Sequence, residues 1–374
     1  MIIKEFMKEK IKAFFADENK RKNFIFICSM VAALCLIIII SSVIPKENSE
    51  KTQYKSIEYA YFDTKTTIVG FEESESDFAD TLQEVYALLG EYHRLFDIYN
   101  EYEGINNLCT VNKLVDGEHE VVKVDRKIID MLLKAKEMHD LTGGKMNVAM
   151  GSVLSIWHDY RTTGIDEPWN AELPPMDMLE AAAEHTDIND LIIDEENCTV
   201  YLRDPEMKLD VGAFAKGYAV EMVAKFLESK GKNNYVVNVG GNIRTVGPKA
   251  NGERWKTGIE NPTGDENRPY IEYIGLDSDT IVTSGSYQRY YIVGGKKYHH
   301  IIDKDTLMPA DRGFLSVSVI CKDSGMGDAL STALFCMDIE YGMELVNSLD
   351  SVEALWVTED EVIHYSDNFE KHKY

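Results

Sequence analysis

The 374-residue sequence predicts an α+β fold: mixed sheets with packed helices, preceded by one N-terminal transmembrane helix. Three observations predict it. Residues 24–44 carry no charge and supply about the 20 apolar residues that a spanning helix needs. Beyond them, helix-period and strand-period segments are mixed without a βαβ rhythm. The length allows a large buried core, and no internal repeat or low-complexity run interrupts it.

Residues 1–23 are polar and basic (Lys4, Lys8, Lys10, Lys12, Lys20, Arg21, Lys22) and read as a cytoplasmic tail. Residues 24–44 read as an uncleaved signal anchor, because a cleaved signal has a shorter apolar core and a small-residue cleavage site. Residues 45–56 read as a polar tether. Residues 57–374 form the main domain, placed outside the cytoplasm in a single-pass protein of the cell membrane. The formal net charge of -25 argues against nucleic acid, which needs a basic surface. The six cysteines are scattered with no CxxC or Cys/His cluster, so a zinc site is not expected. A disulfide among Cys109, Cys198, Cys321 and Cys336 is left open by their spacing.

In chain order, residues 57–70 alternate like a strand. Residues 77–99 and 126–142 carry apolar positions at helical spacing, and Gly143-Gly144 ends the second. Residues 146–160 are largely apolar. Residues 167–176 hold Pro168, Pro174 and Pro175 and read as loop, with a short helix at 177–185. Residues 191–202 read as a hairpin turning at 194–197. A helix follows Gly212, with Phe214, Tyr218, Met222 and Phe226 on one face and Gly231 as its stop. Residues 235–239 form a buried strand that ends at Gly240-Gly241. Residues 255–260, 270–275, 281–284, 288–293, 297–302 and 315–321 are expected as strands. Residues 327–337 and 341–348 are expected as helices, and a hairpin of 355–357 with 362–365 ends the chain.

Several side chains invite chemistry. The turn before Lys216 lies at a helix N-terminus, where free N–H groups and the helix dipole favour an anion such as phosphate. Asp328 and Thr332 are four apart on one helix face and offer hard oxygen ligands of the kind magnesium takes. Asp328 also follows Gly327, and spacing alone favours an N-cap there, with Thr332 as ordinary packing. Thr283-Ser284-Gly285 closes a strand and offers either ligand contacts or a plain turn. Arg289 offers a guanidinium for phosphate or carboxylate. His299 and His300 lie on opposite faces of a strand, so one is expected to point inward, as a general base or as a hydrogen-bonded core residue.

Five ordered segments together resemble the ApbE family, the FAD:protein FMN transferases. They are Asp210-Val-Gly-Ala-Phe-Ala-Lys-Gly-Tyr-Ala219, Val237-Asn-Val-Gly-Gly-Asn-Ile-Arg244, Val282-Thr-Ser-Gly-Ser-Tyr-Gln-Arg-Tyr290, His300-Ile-Ile-Asp303 and Asp328-Ala-Leu-Ser-Thr-Ala-Leu-Phe335. The resemblance implies that FAD is split at its pyrophosphate with magnesium present. FMN then passes to a Ser/Thr hydroxyl of an exported acceptor flavoprotein, and AMP leaves. It implies Asp328, Thr332 and the Ala213 carbonyl as metal ligands, with His300, Lys216 and Asp328 as catalytic residues. The implied FAD contacts are Tyr99 (stacking on the flavin), Asn147, Ala149, Met150, Asp210, Lys216, Thr283, Ser284, Gly285, His300 and Ile302. The chain departs from the usual pattern at Phe62-Asp63, Met146-Asn147 and Gln288. Two other readings stand beside transfer: an FAD pyrophosphatase releasing FMN and AMP, and a non-catalytic extracytoplasmic flavin-binding module.

Overall fold

The computed structural model describes residues 51–374. The expected tail, the signal anchor and the tether up to residue 50 lie outside the described residues. Among the described residues no helix is long and apolar enough to cross a membrane. Cys109, Cys198, Cys321 and Cys336 are all free thiols.

The frame is an eight-stranded sheet. Its strands are β1 (Thr52–Tyr61), β2 (Thr64–Glu72), β3 (Tyr235–Val239), β4 (Asn242–Val246), β7 (Thr280–Gly285), β10 (Phe314–Cys321), β11 (Glu353–Thr358) and β12 (Ile363–Tyr365). They lie side by side in that order, and every neighbouring pair is antiparallel. Four small sheets stand outside this one among the described residues: the hairpin of β5 (Trp255–Glu260) with β6 (Tyr270–Leu276), that of β8 (Tyr290–Val293) with β9 (Lys296–His299), the pair Leu114–Val115 with Glu118–His119, and a three-stranded sheet of Val122–Lys123, Thr199–Leu202 and Leu191–Asp194.

Eight α-helices lie among the described residues, besides three short 3-10 turns: α1 (Glu75–Phe96), α2 (Leu108–Val111), α3 (Arg126–Leu141), α4 (Gly151–Asp166), α5 (Met176–Ala183), α6 (Ala215–Ser229), α7 (Ser324–Phe335) and α8 (Ile339–Ser348). Helix α6 lies on β3 and β4, α7 lies on β7 and β10, and α1 packs against α6. Strand alternation explains why this layer forms. In β3, Tyr235, Val237 and Val239 are buried beneath the helices, while Val236 and Asn238 on the other face are only half-buried. Burying a side chain such as Val237 stabilises the fold by about 1.5–3 kcal/mol.

The second face is covered unevenly. β10 and β11 are buried on both faces, because β6 and the C-terminal turn around Phe369 pack over them. That cover stops before β2 and β3, whose outward residues stay half-open.

Several expectations change. Residues 57–70 do not make one strand: the chain reverses at Phe62 and Asp63, both at positive φ, into the β1–β2 hairpin. β1 begins at Thr52, inside the expected tether. Residues 146–160 contain the start of a helix, α4, that runs on to Asp166. Residues 242–246, not foreseen as a strand, pair on both sides as β4. Asp328 is not an N-cap. Helix α7 starts three residues before Gly327, capped by Asp323, whose side chain accepts from the Met326 amide.

Candidate active site

A cavity of ≈ 340 Å³ opens at one end of the large sheet. Its walls come from the β1–β2 turn, the β3–β4 turn, the end of β7, one face of α4, the start of α6, one face of α7, and the segment after β9.

The floor is set by the crossing of α6 and α7. Gly217 sits in the first turn of α6. A Cβ there would overlap the Ser324 carbonyl and lie 2.5 Å from the Cβ of Asp328, so only glycine permits this approach. The crossing brings the free Gly217 amide to Asp328, and it donates to Oδ2 at 2.8 Å. An N-terminal amide expected to be open to an anion is therefore already satisfied by a side chain from α7. Lys216 Nζ donates to the Gly212 carbonyl at 3.1 Å and stands 3.8 Å from Asp328. Asp328 is only 5% exposed, and burial pushes its carboxyl up, with Lys216 and the Gly217 amide opposing.

Around Asp328 the oxygens gather. Thr332 lies one turn along α7, and its hydroxyl is 3.4 Å from Ser284 Oγ, which also bonds Ser331 at 2.9 Å. Ala213 lines the same end of the cavity. Asn242 adjoins Asp328, and its Oδ1 is buried with no hydrogen-bond partner among the described residues. One carboxylate, a hydroxyl and an orphaned amide oxygen, with Ala213 on the same wall, form a hard-oxygen donor set of the kind that fits a magnesium ion.

The other end is cationic. Arg161 from α4 and Arg289 both face the cavity, with no ion pair to either among the described residues. Burial and the neighbouring Arg289 push the Arg161 guanidinium down from its ordinary value. Arg161 Nη2 is 3.1 Å from His158 Nδ1, and the His158 ring lies 5.2 Å from that of Tyr99. His300 also lines the cavity. Its Nδ1 is 3.1 Å from the Arg289 carbonyl. A carbonyl only accepts, so Nδ1 carries the proton and Nε2 keeps a free lone pair. Burial first, and the two guanidiniums after it, push His300 down to about 3, so the ring is neutral.

Most of the residues singled out from sequence meet here. Tyr99, Met150, Asp210, Ala213 and Lys216 line the cavity, as do Thr283, Ser284, Gly285, His300, Ile302, Asp328 and Thr332. Asp210 accepts from the Gly212 amide at 2.8 Å, and burial pushes its carboxyl up. Asn147 lines the cavity, but its amide is spent on the loop: Nδ2 donates to Thr186 and Oδ1 accepts from Ala149. Ala149 is a correction. It is fully buried in the core beneath α3 and is no part of the cavity wall. His299 is the other histidine of the pair. It bonds the Ala310 carbonyl at 3.0 Å and packs edge-on to Phe335, a structural role.

Sequence reasoning missed His158, Arg161, Lys145 and Thr64 on the cavity wall. His158 and Arg161 are three apart on α4, with Trp157 anchored beside them by its Nε1 bond to the Leu307 carbonyl at 2.8 Å. Polar residues ending an apolar run were the available signal. Lys145 bonds Asp303 at 3.1 Å and Asp305 at 2.8 Å, which ties the loop before α4 to the segment that carries His300.

Comparison with known proteins agrees on one family. A model of the ApbE family matches residues 62–356. A protein of Klebsiella pneumoniae named FAD:protein FMN transferase is 30% identical over 275 residues, which covers 71% of this chain and 82% of that protein. The crystal structure of the ApbE protein of Thermotoga maritima superposes with a TM-score of 0.75 at 29% identity, over 86% of this chain and 100% of that one. The flavin transferase ApbE of Vibrio cholerae superposes with a TM-score of 0.71 at 26% identity, over 86% of this chain and 99% of that one.

Proposed function

This chain belongs to the ApbE family, and on that premise we propose that it is an enzyme that moves the FMN part of FAD onto a Ser/Thr hydroxyl of an acceptor flavoprotein and releases AMP. The observation that carries this reading is the convergence of Asp328, Thr332, Ala213, Lys216 and His300 on one cavity, from stretches far apart in sequence. We further propose that residues 24–44 hold the protein in the cell membrane with the catalytic domain outside the cytoplasm.

The chemistry assigns work to each group. The acceptor oxygen attacks the FMN-side phosphorus of FAD. A P–O bond forms there, the bond to the bridging oxygen breaks, and that oxygen leaves with the electron pair as part of AMP. The hydroxyl proton passes to the free Nε2 of His300, whose basicity is held down in the empty site by burial and by the facing guanidiniums and rises when an anionic substrate offsets their charge. Lys216 supplies positive charge beside the pyrophosphate, where charge builds during attack. Asp328, Thr332 and the Ala213 carbonyl would hold magnesium. Bound there, the metal would neutralise phosphate oxygens as a Lewis acid. Arg161 and Arg289 face the same pyrophosphate from the opposite wall of the cavity and add to its binding, and Tyr99 offers its ring to the flavin.

The test mixes the purified full-length chain with FAD, magnesium and an exported flavoprotein domain that carries a threonine acceptor segment. Acceptor mass and AMP are followed together. The reading requires an FMN mass increment with matching AMP. AMP and free FMN with an unlabelled acceptor would point to a pyrophosphatase instead. FAD binding with no AMP would leave a binding module.

A further inference from the structure

The large sheet carries a second concavity on its far face. The β5–β6 hairpin covers β7, β10 and β11, then stands off from β2, β3 and β4, leaving an open groove of ≈ 930 Å³. Its floor is the outward row of those strands: Thr67 and Val69, Val236 and Asn238, and Ile243. The cross-strand register of Thr67 with Asn238, and of Asn238 with Ile243, places them in one continuous row.

Two properties set this groove apart. The first is charge. The chain carries a net charge of -25, yet the groove is walled by Lys55, Lys65, Lys249 and Lys256. Lys55 and Lys65 are exposed and make no ion pair among the described residues. Glu260, a carboxylate on the wall, already accepts from the Tyr287 hydroxyl at 3.4 Å. The second is position. Thr283 and Gln288 border both the groove and the active-site cavity. Lys65 follows Thr64 of the cavity, and Gly241 follows Gly240. The groove therefore runs to the cavity rim along the β1–β2 and β3–β4 turns.

A cavity of ≈ 340 Å³ accepts a side chain but not a folded domain. An acceptor protein must reach it with an extended segment, and the flanks of that segment must lie on whatever surface adjoins the rim. We propose that this groove docks an acidic, extended segment of the acceptor flavoprotein, with Lys55 and Lys65 as its charge contacts. The proposal rests on the transferase reading above. In a chain of net charge -25, the local lysines oppose the repulsion that an acidic segment would meet from the rest of the surface.

The test uses the full-length chain and its Lys55→Glu/Lys65→Glu double variant. The probe is a threonine acceptor domain in two versions, with Asp and Glu flanking the threonine in one and Asn and Gln in the other. We expect the double variant to raise the acceptor KM at least tenfold for the acidic version. The kcat and the affinity for FAD should be unchanged, and Lys→Arg at both sites should restore KM. The wild-type KM should rise with ionic strength for the acidic version only. An unchanged KM in the double variant overturns the groove and leaves the transferase reading standing. Loss of binding to phosphatidylglycerol vesicles in the variant, with acceptor KM unchanged, assigns the lysines to the membrane and overturns it too. A wild-type chain that binds FAD but labels neither version overturns the transferase reading, and the groove with it.

Discussion

At one end of the cavity Asp328 has an amide donor at 2.8 Å and an ammonium at 3.8 Å, with Thr332 one turn along α7 and Asn242 of β4 beside it. At the other end Arg161 and Arg289 face the same space with no carboxylate in ion-pair range among the described residues. The first end is organised by backbone: a glycine-permitted helix crossing fixes the carboxylate before any ligand arrives. The second is organised by long side chains whose mutual repulsion is eased in part by Asp210 and further by an anion that enters. The cavity is thus polar along its length, with oxygen donors for a cation at one end and nitrogen donors for an anion at the other. A pyrophosphate lying between the two ends meets a cation site on one side and guanidiniums on the other.

The comparison breaks most sharply at Asp328. Asp328→Ala removes the carboxylate at the organised end, and we expect turnover to fall by about 10³-fold or more, as loss of a metal's charge from a phosphoryl-transfer site does. AMP release across a magnesium titration checks it. Full activity at low magnesium would sink the metal assignment.

His300→Gln touches the cationic end. FAD affinity should persist while transfer slows by about 10²-fold, the typical worth of a general base. Loss of FAD binding in that variant would make His300 a nucleotide contact and place the base elsewhere. The same variant has a pH signature. The folded state holds His300 near 3, whereas the unfolded chain takes up the proton near 6.5. The unfolded state therefore binds more protons between those values, and stability falls as pH drops through that window. In His300→Gln the slope of Tm against pH should flatten there.

Arg161→Met keeps the bulk of the side chain and removes its charge. We expect FAD KM to rise about tenfold with kcat little changed, since a hydrogen bond to a charged group is worth about 1.5–3 kcal/mol. Equal losses in kcat and kcat/KM would instead place Arg161 on the reacting phosphorus. The smallest expected effect is at Gly217. Gly217→Ala forces α6 and α7 apart and should cost about 1–3 kcal/mol of stability, read as a lower Tm. If Tm is unchanged, the helix crossing is not the constraint that fixes Asp328.

Much of this was legible from residues alone. The helix at 215–229 was marked by Phe214, Tyr218 and Met222 at its spacing and by Gly231, found at positive φ, as its stop. The hairpin at 191–202 was marked by alternation and by its Asp194–Asn197 turn, where the Asp194 side chain accepts from the Asn197 amide. These are local patterns, set within a few residues by backbone hydrogen bonding and by which face is buried. β4 was missed because Asn242, Arg244 and Thr245 are polar yet buried. Their polarity is met by distant partners, such as Glu221 for Arg244 at 3.1 Å, which no local pattern records.

The sequence by itself determined the α+β class, the family segments and the residue types of the candidate site, because periodicity and motif are local. Only the tertiary structure decided that Asp328 meets Gly217 across 111 residues, that His158 and Arg161 join His300, and that Ala149 turns away into the core. It also decided that half of the sheet stays uncovered, leaving a lysine-walled groove at the rim of the cavity. Those outcomes depend on strand order and on how closely two helices cross. Both are settled by packing between segments remote in sequence, where neither propensity nor spacing carries information.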